Sequence, residues 1–170
     1  MNNMKTTLKA WPVIALATTG LCLVTQGVAK LFGIDLPDQG QIEVVRKYIG
    51  WNLTFALIVV QVVAIAPAIE ELIFRLLLFK VPTKLFRSQV AATAVVSSAV
   101  FSFLHYIDYE GLFKSGKFAL SGWNAAFIAL FFFGMAQCWL YRKTDRIWCP
   151  MLNHALFNLT NVALLLVVPT

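Results

Sequence analysis

An all-α, polytopic transmembrane bundle of about five spans is the fold the sequence predicts, on three observations. The chain of 170 residues is 59% hydrophobic and only 13% charged, which leaves too little polar surface to cover a water-soluble domain. Its apolar residues gather into five runs close to the roughly 20 residues that cross a bilayer as a helix. Basic residues gather in alternate connections between those runs, the pattern of loops held on the cytoplasmic side.

The first run, Trp11–Phe32, follows Lys5 and Lys9. It exceeds the length of a signal-peptide core, GVAK at its end is a weak cleavage match, and Leu21 before Cys22 argues against a lipoprotein site. It is therefore expected to be a retained helix. The second run is Trp51–Phe79, interrupted by Pro67. The third, Ser88–Tyr106, contains AATAVVSSAVFS; small residues let helix backbones approach closely in lipid, so this helix belongs at the centre of the bundle. Trp123–Tyr141 and Ile147–Val168 complete the set. Trp11, Trp51, Trp123 and Trp148 stand at span starts, as interfacial tryptophans do. The connections from Gly33 to Gly50 and from Ile107 to Gly122 carry glycines and mixed charges, and are read as outer loops.

The net charge of +6 is a topology signal. Lys5 and Lys9, then Lys80, Lys84 and Arg87, then Arg142, Lys143 and Arg146 fall at one side of the membrane, which places the N-terminus in the cytoplasm and the C-terminus outside. Asp35, Asp38, Glu43, Asp108 and Glu110 fall at the other. No nucleic-acid partner is expected. Cys22, Cys138 and Cys149 have neither metal nor disulfide spacing and read as small apolar residues. The whole chain, 1–170, reads as one integral-membrane domain with its motif-bearing core over about 51–168.

Ionisable groups in a bilayer are costly, so those inside the runs are functional candidates. Both histidines and the one pair of adjacent acids lie there. Pro67 removes a helical hydrogen bond and is expected to kink the second span, opening space beside Glu70 and Glu71. Glu71 and Arg75 are spaced i, i+4 with the acid first, the favourable order for an ion pair. Glu70 lies about 100° further round the helix and is left free to act as a base; the alternative is one satisfied charge cluster of all three. Phe101 and His105 share a face at i, i+4, as do His154 and Asn158. Imidazole and carboxamide are donors suited to a developing oxyanion, and helix–helix bonding is the alternative for them, and also for Asn153 and Asn161. Glu70, His105 and His154 also form a hydrolytic zinc ligand set. No HExxH is present, so no cofactor is favoured and zinc stays the alternative. Span arithmetic sets His105 near the outer end of its helix, with Glu70 and His154 nearer the inner ends. A stagger or a later start of the third span is needed to bring them together.

EELIFR (Glu70 to Arg75), FSFLH (Phe101 to His105) and HALFN (His154 to Asn158) resemble, in order and setting, the EExxxR, FxxxH and HxxxN motifs of the CPBP intramembrane proteases. That family comprises the type II CAAX prenyl endopeptidases and their bacterial relatives. The resemblance implies that Glu70 and His105 activate water, that His154 and Asn158 face the oxyanion, and that Glu71, Arg75 and Phe101 support the site. It also implies a membrane-associated protein or peptide as substrate, and a bacterial inner membrane as location. A non-catalytic scaffold or immunity protein of the same fold is the alternative. A proton-coupled carrier is disfavoured, because the fourth span offers only Gln137 as a polar lining.

Overall fold

The computed structural model describes residues 2–34, 36, 45–50, 52–86, 89–105, 107 and 126–167. The expected span ends at Trp51, Ser88, Tyr106, Trp123 and Val168 lie outside the described residues, as do Arg87, Asp35, Asp38, Glu43, Asp108, Glu110 and most of both expected outer loops. What is described is all-α but for isolated turns and one bridge residue at Ile107.

Helix α1, Asn3–Leu31, begins well before the expected Trp11, because the Asn2 side chain accepts the Lys5 amide and caps it. Lys5 and Lys9 thus ride on the helix. Helix α2, Leu53–Leu85, is likewise capped by Asn52, which accepts from the Phe55 amide at 2.9 Å. It runs six residues past the expected Phe79. Helices α3, Val90–Leu104, α4, Ala126–Thr144, and α5, Trp148–Val167, follow. The α4–α5 connection turns through Asp145 at φ 49°, a left-handed conformation that Asp tolerates better than most residues.

Among the described residues three helices, α1, α2 and α5, are long and apolar enough to cross a membrane. Helix α3 is apolar but has only 15 residues, and α4 ends on Arg142 and Lys143. Large apolar side chains such as Leu16, Leu57, Leu77 and Val96 are exposed, as expected of surfaces that face lipid chains.

Helix α2 answers Pro67 with widened turns in place of a sharp break. The α-helical Ala66–Glu71 is flanked by π-helical Gln61–Ile65 and Leu72–Lys80, and the Ala66 amide bonds back five residues to Gln61 O. In that register the next carbonyl, Val62 O, should receive the amide hydrogen of residue 67. Proline has none. The Asn158 carboxamide of α5 donates to Val62 O instead, at 2.8 Å.

The core centres on fully buried Phe101, packed with Phe74 of α2, Phe133 of α4, Phe157 of α5 and Ile14 of α1. Helices α3 and α4 approach closely at Gly134. A methyl group there would lie 3.0 Å from Ser98 Cβ and Oγ and 3.1 Å from Ser98 Cα. The serines of α3 also tie it sideways: Ser97 Oγ donates to Phe74 O and Ser102 Oγ to Phe127 O, at 2.8 and 2.7 Å.

Candidate active site

Glu70 and Glu71 close the short α-helical stretch between the two π-helical segments, and their side chains diverge. Glu71 is fully buried and meets Arg75, one turn on and also fully buried, with Nε 2.8 Å from Oε2. The guanidinium is held further by Ser97 Oγ at 3.3 Å and Cys138 Sγ at 3.7 Å, and it lies over the Phe101 ring, 5.5 Å from its centroid. Burying an ion pair is tolerable only when its remaining donors and acceptors are also engaged. These contacts do that.

Among the described residues Glu70 meets no such Lys or Arg cation. Its Oε2 faces two histidines from different helices, His154 Nε2 at 3.7 Å and His105 Nε2 at 4.0 Å. Each imidazole is oriented through its other nitrogen. His105 Nδ1 lies 2.8 Å from Phe101 O on its own helix, and His154 Nδ1 lies 3.0 Å from Glu71 Oε1. A carbonyl and a carboxylate can only accept, so both Nδ1 atoms carry hydrogen and both Nε2 atoms turn toward Glu70. Aromatic rings wall the pair: Phe101 lies 4.6 Å from the His105 ring and 5.9 Å from His154, and Phe133 lies 4.9 Å from His154.

The depth mismatch expected for His105 resolves locally. His105 is the C-terminal cap of α3, and its ring folds back one turn to the Phe101 carbonyl, the direction in which helical side chains lean. Antiparallel packing sets Ser97 beside Phe74 and Arg75, so the end of α3 comes level with Glu70. Asn158 is drawn in too, with one amide hydrogen committed to Val62 O.

Beside the histidines lies a cavity of about 40 Å³, lined by His105, His154, Asn158, Asn161 and the apolar Leu130 and Leu165. Gln137 donates to Asn153 at 2.8 Å, a buried bond between α4 and α5. Residues that motif spacing did not single out include Ser97, Cys138 and Phe133; the only signal for them was the small-polar stretch around Ser97.

Glu70, His105 and His154 fit a zinc ion poorly. Ligand atoms of tetrahedral zinc, with bonds of ~2.0–2.1 Å, lie about 3.3 Å apart, closer than the 3.7 and 4.0 Å observed here. Among the described residues no group of three or more His, Cys, Asp or Glu side chains is placed to hold a metal.

An all-α chain whose described residues hold three candidate membrane spans, around a half-buried carboxylate that faces two oriented imidazoles, is the class of protein that these features define. The chain belongs to the type II CAAX prenyl endopeptidase Rce1-like family, whose sequence model matches residues 51–160. That stretch holds every candidate site residue, and the family expected from the three motifs is thereby shown. No curated protein and no solved structure matches the chain.

Proposed function

We propose that the chain is an intramembrane endopeptidase that hydrolyses a peptide bond in a membrane-associated protein or peptide, with Glu70 as base. The observation that carries this reading is the approach of Glu70 Oε2 to His105 Nε2 and His154 Nε2 at 4.0 and 3.7 Å. These gaps are too long for direct hydrogen bonds and leave each of the three groups free to bond a water seated beside them. Glu70 takes a proton from that water as its oxygen attacks the scissile carbonyl. His105, fixed by Phe101 O, orients the water through its bare Nε2.

The tetrahedral oxyanion then needs donors. His154, held by Glu71 Oε1 through Nδ1, supplies one from Nε2 as an imidazolium. Asn158 supplies the second with the amide hydrogen that Val62 leaves over. Glu70 returns its proton to the leaving amine as the C–N bond breaks. Glu71, Arg75 and Phe101 hold the site without touching substrate.

The same reading takes residues 1–170 as one membrane domain. It counts α3 and α4 as the third and fourth spans, beside α1, α2 and α5, with the N-terminus in the cytoplasm of a bacterial inner membrane. The purified chain in proteoliposomes, offered a library of membrane-anchored peptides, tests the activity. Cleavage by the natural chain and none by Glu70→Gln is expected; equal cleavage by both would remove Glu70 from the chemistry.

A further inference from the structure

Helix α5 presents His154, Asn158, Asn161 and Leu165 to the cavity, at the i, i+4, i+7, i+11 spacing of one helical stripe. The two histidines and two carboxamides make one side of the space polar, while Leu130 and Leu165 keep other parts apolar. Its 40 Å³ admits about three waters, since each needs roughly 10–15 Å³ measured this way.

Asn161 stands apart from its neighbours. Asn158 is bonded to Val62 O and Asn153 to Gln137, but among the described residues none hydrogen-bonds to the Asn161 side chain. Helix–helix bonding among the described residues therefore does not explain it, and a carboxamide at membrane depth without such a partner is costly unless water or a ligand satisfies it. It lies seven residues, about 10 Å, along the axis from His154, too far to touch a water held by Glu70.

We propose that Asn161 anchors a short file of water that replenishes the hydrolytic water at Glu70, His105 and His154. This rests on the hydrolytic reading of the site. Each turnover consumes one water: its oxygen joins the carbonyl carbon, and its hydrogens end on the new carboxyl and amine groups as the C–N bond breaks. In a low-dielectric bundle the replacement must come through polar contacts, and the Asn158–Asn161 stripe supplies them. Asn161 is a positioning residue in this scheme.

The test pairs kinetics with X-ray hydroxyl-radical footprinting, which oxidises side chains beside bound water whether or not the protein is active. In Asn161→Leu, labelling of Phe157 and Leu165 should fall severalfold, and kcat should drop about tenfold or more with KM within about twofold. Asn161→Ser, smaller but polar, should restore both to within about threefold of the natural chain. Unchanged labelling would overturn the proposal, as would lost labelling with unchanged kcat. A rise in KM alone would make Asn161 a substrate contact instead. If the natural chain cleaves nothing yet labelling still depends on Asn161, the hydrolase reading fails while the water site stands.

Discussion

His154 bridges two carboxylates that are adjacent in sequence: its Nδ1 lies 3.0 Å from Glu71 Oε1 and its Nε2 lies 3.7 Å from Glu70 Oε2. One ring therefore ties the ion-paired glutamate to the free one. Whatever fixes Glu71 also fixes the aim of the imidazole at Glu70.

The two glutamates should consequently fail in different ways. Glu70→Gln keeps the shape and should reduce cleavage by about 10²–10⁴-fold, with thermal unfolding in detergent unchanged. Glu71→Gln leaves Arg75 buried without its counter-charge and should destabilise by about 3–5 kcal/mol, visible as a lower unfolding midpoint. Equal stability of the two variants would refute the division of labour.

Asn158 and Pro67 should be energetically coupled, because the asparagine supplies the hydrogen that the proline lacks. Asn158→Leu orphans Val62 O. Pro67→Ala restores a backbone N–H that can reach it, so the double variant should be less destabilised than the sum of the singles by about 1 kcal/mol. Strict additivity in a double-mutant cycle of unfolding free energies would show that the two residues act separately.

Gly134 should not accept a side chain. Its added methyl meets the Ser98 backbone at 3.1 Å, so Gly134→Ala must push α3 from α4 and should cost about 1–3 kcal/mol. A shift of α3 would also carry His105 away from Glu70, so cleavage should fall with stability. The companion change Ser98→Gly, which removes the side-chain part of the clash, should recover some of both.

Metal removal should leave the reaction intact under the glutamate mechanism. Dialysis against a strong chelator is expected to change the cleavage rate by less than about twofold, since no step of the scheme passes through a metal. Loss of activity that added zinc restores would favour the ligand set of Glu70, His105 and His154 instead.

Much of the site could be read from spacing because helices turn spacing into direction. The separation of Glu70 from Glu71 followed from about 100° per residue, and the Glu71–Arg75 pair from i, i+4 order. Long-range partners could not be read that way. The bonds from His154 to Glu71 and from Asn158 to Val62 join residues 83 and 96 positions apart, and local pattern carries no information about them. Pro67 announced a disturbance, but whether a proline kinks a helix or widens it into π turns depends on what can satisfy the freed carbonyl, here on another helix. Span limits drifted because Asn2 caps α1 well before the apolar boundary at Trp11, and because α2 runs on to Leu85 past the expected Phe79. The depth of His105 was misjudged because residue rise was counted while the lean of the side chain was not.

If Glu70 drives cleavage of a membrane-associated chain, the termini of membrane proteins depend on it. Mass spectrometry can compare those termini in cells carrying the natural chain and in cells carrying Glu70→Gln at equal abundance. Specific new termini are expected with the natural chain and should vanish with the variant, and those termini identify the substrate. Identical termini in the two cell populations, with any other phenotype of the chain retained by Glu70→Gln, would contradict catalysis and turn attention to a scaffold role for the same fold.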